Sequence, residues 1–169
     1  MTEAALKLTP KPSEDSVSLG IGRENRSEIA EGLSEILSDT YRLLIKTHIY
    51  HWNVVGPLFH SLHEMLEEQY NDIFAATDVI AERIRALGFL APMDMAAPNK
   101  GFANNEAKAS DAKAMVEDLI ADHEALVRKM REVAEGAADK DDGVSEDMLV
   151  GRMTFHEKTL WMLRATIAE

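Results

Sequence analysis

Residues 51–88 read HWNVVGPLFHSLHEMLEEQYNDIFAATDVIAERIRALG, and this stretch decides the architecture. It opens on the last turn of one helix and breaks at Gly56-Pro57. It then places Leu62, Leu66, Ile73, Ile80, Ile84 and Leu87 at the three-and-four spacing of a single helical stripe. Gly88 offers the left-handed conformation that commonly ends helices. The spacing predicts one long helix from about Phe59 to Leu87.

Four polar residues of that helix lie off the stripe. His63 with Glu67, and Asp78 with Glu82, are i,i+4 pairs whose side chains share a face, so each pair can chelate a cation. Asp78 lies 15 residues beyond His63, a rise of roughly 22 Å, so one straight helix cannot bring both pairs to one metal. At about 100° per residue the four occupy an arc of roughly 100°, centred about 130° from the apolar stripe. They face away from the chain's own core. Two such helices packed antiparallel about a two-fold axis near Asp72 and Ile73 bring the His63 end of one to the Asp78 end of the other. Two identical composite sites result, with Phe74 as an apolar contact. His51, on the last turn of the preceding helix, is a further candidate ligand. Imidazole with carboxylate suits ferrous iron or zinc, and a carboxylate-rich set leans towards a harder, redox-active cation. On spacing alone, a solvated helix face stays open as the alternative.

Upstream, Ile29, Leu33, Ile36, Leu37, Tyr41, Leu44 and His48 mark an amphipathic helix from Ser27 to about Val54. Residues 1–24, with Pro10, Pro12 and scattered charge, read as a flexible N-terminal tail; residues 25–169 form the folded domain. Downstream, Pro92, Pro98, Gly101 and Asn104-Asn105 predict a long crossover that includes at most one short helical turn. Ser110 is placed to cap a third helix carrying Met115, Leu119, His123, Leu126, Met130 and Val133, ending near Gly136. Ser145 is placed to cap a fourth helix carrying Leu149, Met153, His156, Leu160, Leu163 and Ile167. Four helices with one long crossover describe an all-α, ferritin-like four-helix bundle.

Composition narrows the chemistry. The 169 residues include no cysteine, which excludes disulfides, thiolate metal sites and cysteine nucleophiles. No run of eighteen or more apolar residues and no signal-like start occur, so the expectation is a soluble, cytoplasmic protein with no membrane partner. The formal net charge of −12 favours gathering cations and repels nucleic acid. No phosphate-binding glycine loop or serine triad is present.

The stretch from His51 through Pro57, then Phe59, His63-Glu64-Met65-Leu66-Glu67 and Asp78-Val79-Ile80-Ala81-Glu82-Arg83-Ile84 with Leu87-Gly88, closely resembles the signature of the Dps family, the mini-ferritins. The likeness extends more weakly over residues 27–168, including His156-Glu157-Lys158 and Trp161 through Arg164. The resemblance implies that His51, His63 and Glu67 come from one subunit and Asp78 and Glu82 from its two-fold partner, in agreement with the helix geometry. Glu67 departs from the pattern, where aspartate is common; the extra methylene alters reach and denticity. The Glu-x-x-His pattern of larger ferritins, which builds a site inside the bundle, is missing.

The same resemblance implies a hollow homo-dodecamer built from two-fold dimers. Ferrous iron enters through acidic pores, is oxidised at the shared site by hydrogen peroxide or oxygen, and is stored as ferric mineral. The resemblance reads Asp142 and Asp147 as pore residues, with Asp147 equally a favourable charge at a helix start. Trp52 reads either as a side chain over the site or as a packing anchor. His48 reads as a core histidine or an iron relay, His123 and His156 as core histidines, and His60 as exposed. The rival function is a nucleoid-associated, DNA-condensing particle. Tail residues Lys7, Lys11, Arg23 and Arg26 are balanced by Glu3, Glu14, Asp15 and Glu24, a formal charge of four minus four, or zero. Any DNA binding is therefore expected to be weak or bridged by divalent cations.

Overall fold

In the computed structural model of the chain, residues 10–93 and 109–168 are described. A 3-10 turn at Glu14–Ser16 precedes α1 (Arg23–Asn53), α2 (Phe59–Ala86), α3 (Ala112–Ala138) and α4 (Gly143–Thr166). Among the described residues there is no strand. The all-α four-helix bundle expected from periodicity is what the chain forms. The short helical turn expected in the crossover falls on residues outside the described ones.

The stripe that predicted α2 is sealed: Leu62, Leu66, Ile73, Ile80, Ile84 and Leu87 are all buried. They pack with Leu33, Ile36 and Leu43 of α1, Leu119 and Met130 of α3, and Leu149 and Leu163 of α4 in one continuous core. Short loops make α1/α2 and α3/α4 antiparallel hairpins. Lys129 bonded to Asp39, with Lys46 paired to Asp118, runs α3 antiparallel to α1. Arg152 bonded to Asp72, with Arg83 paired to Asp142, runs α4 antiparallel to α2. The order is therefore up, down, down, up, which the single long crossover permits.

Helix ends differ from the sequence expectation in instructive ways. Helix α1 starts at Arg23 rather than Ser27, and α3 continues through Gly136 to Ala138. Asp111, not Ser110, caps α3: Asp111 takes the extended backbone and accepts from the Ala114 amide, while the Ser110 hydroxyl turns to the Asp111 carboxylate. Asp142, not Ser145, caps α4, accepting the Ser145 amide at 3.1 Å and its hydroxyl at 2.6 Å. In both cases two acceptors stood close together, and the one adopting non-helical φ/ψ became the cap.

The end of α2 closes as expected, with Gly88 at φ +99°. The Phe89 amide reaches the Ile84 carbonyl and the Gly88 amide the Arg85 carbonyl, a Schellman closure. A Cβ at residue 88 would lie 3.0 Å from Arg26 Nη1 and 3.2 Å from Glu14 Cα, so the site also demands glycine for space. The tail segment explains this crowding. The Ser13 amide donates to the Gly88 carbonyl at 2.8 Å, and buried Arg26 donates to the carbonyls of Leu87, Glu14 and Ile21. From Ser13 onward the segment is thus tied across the end of α2.

Two polar ties within the bundle respond to pH. Burial alone would raise the Asp142 carboxyl, but hydrogen bonds from Arg83 and Ser145, with the guanidinium charge, hold it below the usual carboxylate range. His123 and His156, both fully buried, share a 2.8 Å Nδ1–Nδ1 hydrogen bond. Burial, reinforced by the nearby Arg152 charge, lowers both imidazoles well below 6.5, so the pair is neutral.

Replacing Arg83 by methionine leaves the buried Asp142 carboxylate unpaired. Thermal or urea unfolding at pH 7 should show a loss of about 3–5 kcal/mol. The histidine pair sets a second pH dependence. Because both folded-state pKa values are depressed, the unfolded chain takes up protons first; the pair's contribution is complete above about pH 6.5 and falls as pH drops below it. Each imidazole costs about 2 kcal/mol by pH 5. A double variant with leucine at positions 123 and 156 should flatten the fall in unfolding midpoint between pH 7 and pH 5. An unchanged slope would contradict the assignment.

Candidate metal centre

The last turn of α1 is anchored before it reaches His51. Buried Lys46 bonds Asp118 at 2.9 Å and Asp122 at 2.6 Å across to α3, and the Tyr50 hydroxyl donates to Asp118 at 2.5 Å. Burial first, then the Asp118 hydrogen bond and charge, push the Tyr50 phenol far above its usual range, so it remains a donor. Two consecutive α1 turns are therefore fixed against α3, and His51 follows directly.

His51 and His63 face each other across the α1–α2 loop. His51 Nδ1 lies 2.8 Å from the His63 carbonyl, and His63 Nδ1 lies 2.9 Å from the His51 carbonyl. A carbonyl only accepts, so each Nδ1 carries a proton and donates, which leaves Nε2 as the ring atom turned to a ligand. The rings stack with centroids 3.8 Å apart and planes 16° from parallel. This reciprocal clasp fixes tautomer and orientation in the manner of the outer hydrogen bonds that prepare metal-binding histidines. Phe59 stacks on the outer face of His63, 5.2 Å between centroids.

Glu67, Asp78 and Glu82 are exposed on the outer face of α2, while Ile73 and Ile80 of the same helix are fully buried. The opposition of faces expected from angular spacing is realised. Phe74, 61% exposed, and Val79 sit among the carboxylates as uncovered apolar residues. Among the described residues, no three His, Asp or Glu side chains gather as a metal-holding group. His51 and His63 come together; Asp78 and Glu82 stay at the far end of α2.

Several secondary readings change. Asp142 is 1% exposed, with both carboxylate oxygens engaged by Arg83 and Ser145, so it is not free to line a pore; it is a helix cap and an ion-pair partner. Asp147 is exposed on α4. Trp52 does not anchor its own bundle: it is 65% exposed, stacked 5.0 Å from His48. His48 is half-buried in that ring assembly rather than in the core, whereas His123 and His156 are core histidines as expected. His60 is exposed beside Glu64.

Tyr70 was missed from sequence. It lies one turn beyond Glu67, packs its ring 3.9 Å from His48 and meets His51 edge-on at 5.2 Å. The signal available was the i,i+3 relation to Glu67, too common among helical residues to single it out.

Comparison with known proteins gives this arrangement its context. A family model described as a ferritin-like domain matches residues 30–169. An uncharacterized low temperature-induced protein of Nostoc sp. is 39% identical over 158 residues, covering 89% of this chain and 86% of that protein. DNA protection during starvation protein 2 of Bacillus anthracis is 36% identical over 139 residues, covering 82% of this chain and 95% of that protein. Among solved structures, DpsA14 from Streptomyces coelicolor is similar with a TM-score of 0.80 and 31% identity, covering 96% of this chain and 95% of that one. A match over most of the chain, in sequence and in fold alike, makes this protein a member of the Dps family of ferritin-like proteins.

Proposed function

We propose that this chain oxidises and stores iron at a site shared between two copies of itself. The observation that carries this reading is the His51–His63 clasp, which engages both Nδ1 atoms and leaves two pre-oriented Nε2 atoms near Glu67. Among the described residues no carboxylate pair joins that half-site, and the exposed Asp78–Glu82 pair at the other end of α2 lacks an imidazole. An antiparallel pairing of two α2 helices completes both and covers Phe74 and Val79. His51, His63 and Glu67 of one subunit then bind ferrous iron with the partner's Asp78 and Glu82.

Ferrous iron is the substrate. Two ferrous ions give up one electron each, and one hydrogen peroxide takes both and, with two protons, becomes two waters. Peroxide and ferrous iron are consumed together, without release of hydroxyl radical. Oxygen is the alternative oxidant. Imidazoles favour the ferrous ion and allow its exchange, while the carboxylates stabilise the higher charge of the ferric product. Six two-fold dimers closing into a hollow dodecamer provide the space for ferric mineral, with Asp147 as the remaining pore candidate. The setting proposed is the bacterial cytoplasm. The name of the Bacillus anthracis relative, DNA protection during starvation, agrees with a protective role against oxidants.

DNA condensation is the second reading, and the structure weighs against it. Of the four basic residues counted in the tail, Arg26 is buried and Arg23 is paired with Glu14. Twelve chains at −12 would carry a formal charge of about −144, which repels phosphate.

The shared site has a direct test. A variant with His51→Ala and His63→Ala and another with Asp78→Ala and Glu82→Ala should each oxidise iron poorly. Mixed particles reassembled from both should recover activity, because a heterodimer holds one intact site of its two. Absence of recovery in verified mixed particles would contradict sharing. For DNA, the unmodified protein should fail to shift linear duplex in a gel at physiological salt and pH 7 without magnesium. Changing Glu3, Glu14 and Asp15 to glutamine raises the tail from zero to +3 per chain. That variant should bind with a clear salt slope at an unaltered rate of iron oxidation. Tight, magnesium-independent binding by the unmodified protein would overturn the charge argument.

A further inference from the structure

The seam between α2 and α4 is far thinner than the contacts within either helical hairpin. Two ion pairs cross it, Arg152 to Asp72 at 2.7 Å and Arg83 to Asp142 at 2.6 Å. Beside Asp72, Gln69, Phe155 and buried Thr159 line a cavity of about 240 Å³ within the seam. A row of contacts leads from there into the core. The Arg152 guanidinium rests 4.7 Å over the Phe155 ring, Phe155 meets His156 edge-on at 5.1 Å, and His156 bonds His123 through their Nδ1 atoms at 2.8 Å. Both imidazoles are fully buried, and neither Nε2 has a hydrogen-bond partner among the described residues.

In an Nδ1–Nδ1 bond one nitrogen donates and the other accepts, so the folded pair has room for a single Nδ1 proton. A second proton at the accepting Nδ1 breaks the bond. A proton added at Nε2 instead makes a buried cation without an acceptor, in a core that already holds the Arg152 charge on the same row. The other charges nearby offer no relief: Asp122 of α3 is bonded to Lys46 of α1, Asp72 of α2 to Arg152, and Glu68 of α2 and Lys158 of α4 are exposed. We propose that the α2–α4 seam is an acid-sensitive latch, closed around the neutral His123–His156 pair and parted locally when that pair takes up a proton. The seam is what yields, because it is the thin contact and because Arg152, partly exposed at its rim, can carry its charge out to water. Parting frees Arg152 from Asp72 and lets solvent reach Gln69, Thr159 and both imidazoles. Burial first, with the Arg152 charge added, already holds both rings below their usual range. A ring that takes up its proton only in the open state favours opening below its unperturbed pKa of about 6.5, by roughly thirtyfold per ring at pH 5.

The chain has no cysteine, so a Thr159→Cys variant reports on the seam, and a Ser38→Cys variant, with its thiol buried in α1, reports on the rest of the bundle. Labelling of the full-length protein by a dipyridyl disulfide, which reacts with thiols in mild acid, is followed from pH 7 to pH 5 and divided by the rate for a free cysteine peptide. The Thr159→Cys rate should rise by about thirtyfold or more. The Ser38→Cys rate should change by less than about threefold, because the opening is local. Adding His123→Leu and His156→Leu should abolish the rise. Those two changes also disturb core packing, so Asp72→Asn, at an exposed position, supplies a second arm with both histidines intact. It weakens the Arg152 tie and should speed Thr159→Cys labelling at pH 7 by roughly two- to fivefold, with circular dichroism unchanged. A rise of equal size at both reporters would mean unfolding of the whole bundle and would overturn the latch. So would a rise that persists without the histidines, or an Asp72→Asn protein whose seam is labelled at the unmodified rate.

Discussion

A straight α-helix has one rise and one periodicity, and α2 is committed to both. Its apolar stripe is sealed from Leu62 to Leu87, which fixes the rotation of the helix in the bundle without freedom to turn. Once that stripe is inside, Glu67, Asp78 and Glu82 must be outside. Their separation along the axis is likewise fixed by residue count. The separation of His63 and Glu67 from Asp78 and Glu82 within one chain is therefore a geometric result of core packing. No loop movement within the described bundle could gather the two halves without unwinding a helix whose centre is fully buried.

The ends of the helices are where this rigidity has to be secured, because an unpaired helix terminus leaves backbone groups unsatisfied. Arg26 serves this purpose at the C-terminus of α2, bonding the Leu87 carbonyl while drawing Glu14 and Ile21 across the same point. Asp142 serves it at the start of α4 and, through Arg83, binds that start to α2. Lys46 and Tyr50 hold the last part of α1 to α3. These charges are buried with partners, so each favours a single register between helices more than it adds stability. His51 and His63 inherit the precision of that register.

The apolar periodicity made the four helices, the core and the outward acidic face of α2 legible in sequence, since burial follows directly from angular position. His51 with His63 could be paired from the shortness of the intervening loop. The reciprocal Nδ1 bonds could not, because they depend on backbone carbonyls at a helix end and a first helical turn. Caps were legible only as neighbourhoods: Ser110 beside Asp111, and Ser145 three residues from Asp142, each offered competing acceptors. The packing-anchor reading of Trp52 does not hold within its own bundle, because hydrophobicity signals burial without naming whose surface does the burying. Tyr70 carried only a common helical spacing and Arg26 only a charge, their contacts arising from residues brought close by the fold.

Electrostatics joins the two histidine pairs of this chain by contrast. His123 and His156 face each other deep in the bundle, bonded side chain to side chain, and burial keeps them neutral at the expense of stability in acid. His51 and His63 are bonded side chain to backbone, so neither consumes the other's lone pair, and both Nε2 atoms stay available. The difference lies in the acceptor. An imidazole used as acceptor gives up a potential ligand atom, whereas a carbonyl used as acceptor costs the site nothing. Placing His51 at the end of α1, where its carbonyl lacks an intrahelical donor, and His63 one turn into α2 lets a backbone carbonyl orient each ring without using the other's Nε2.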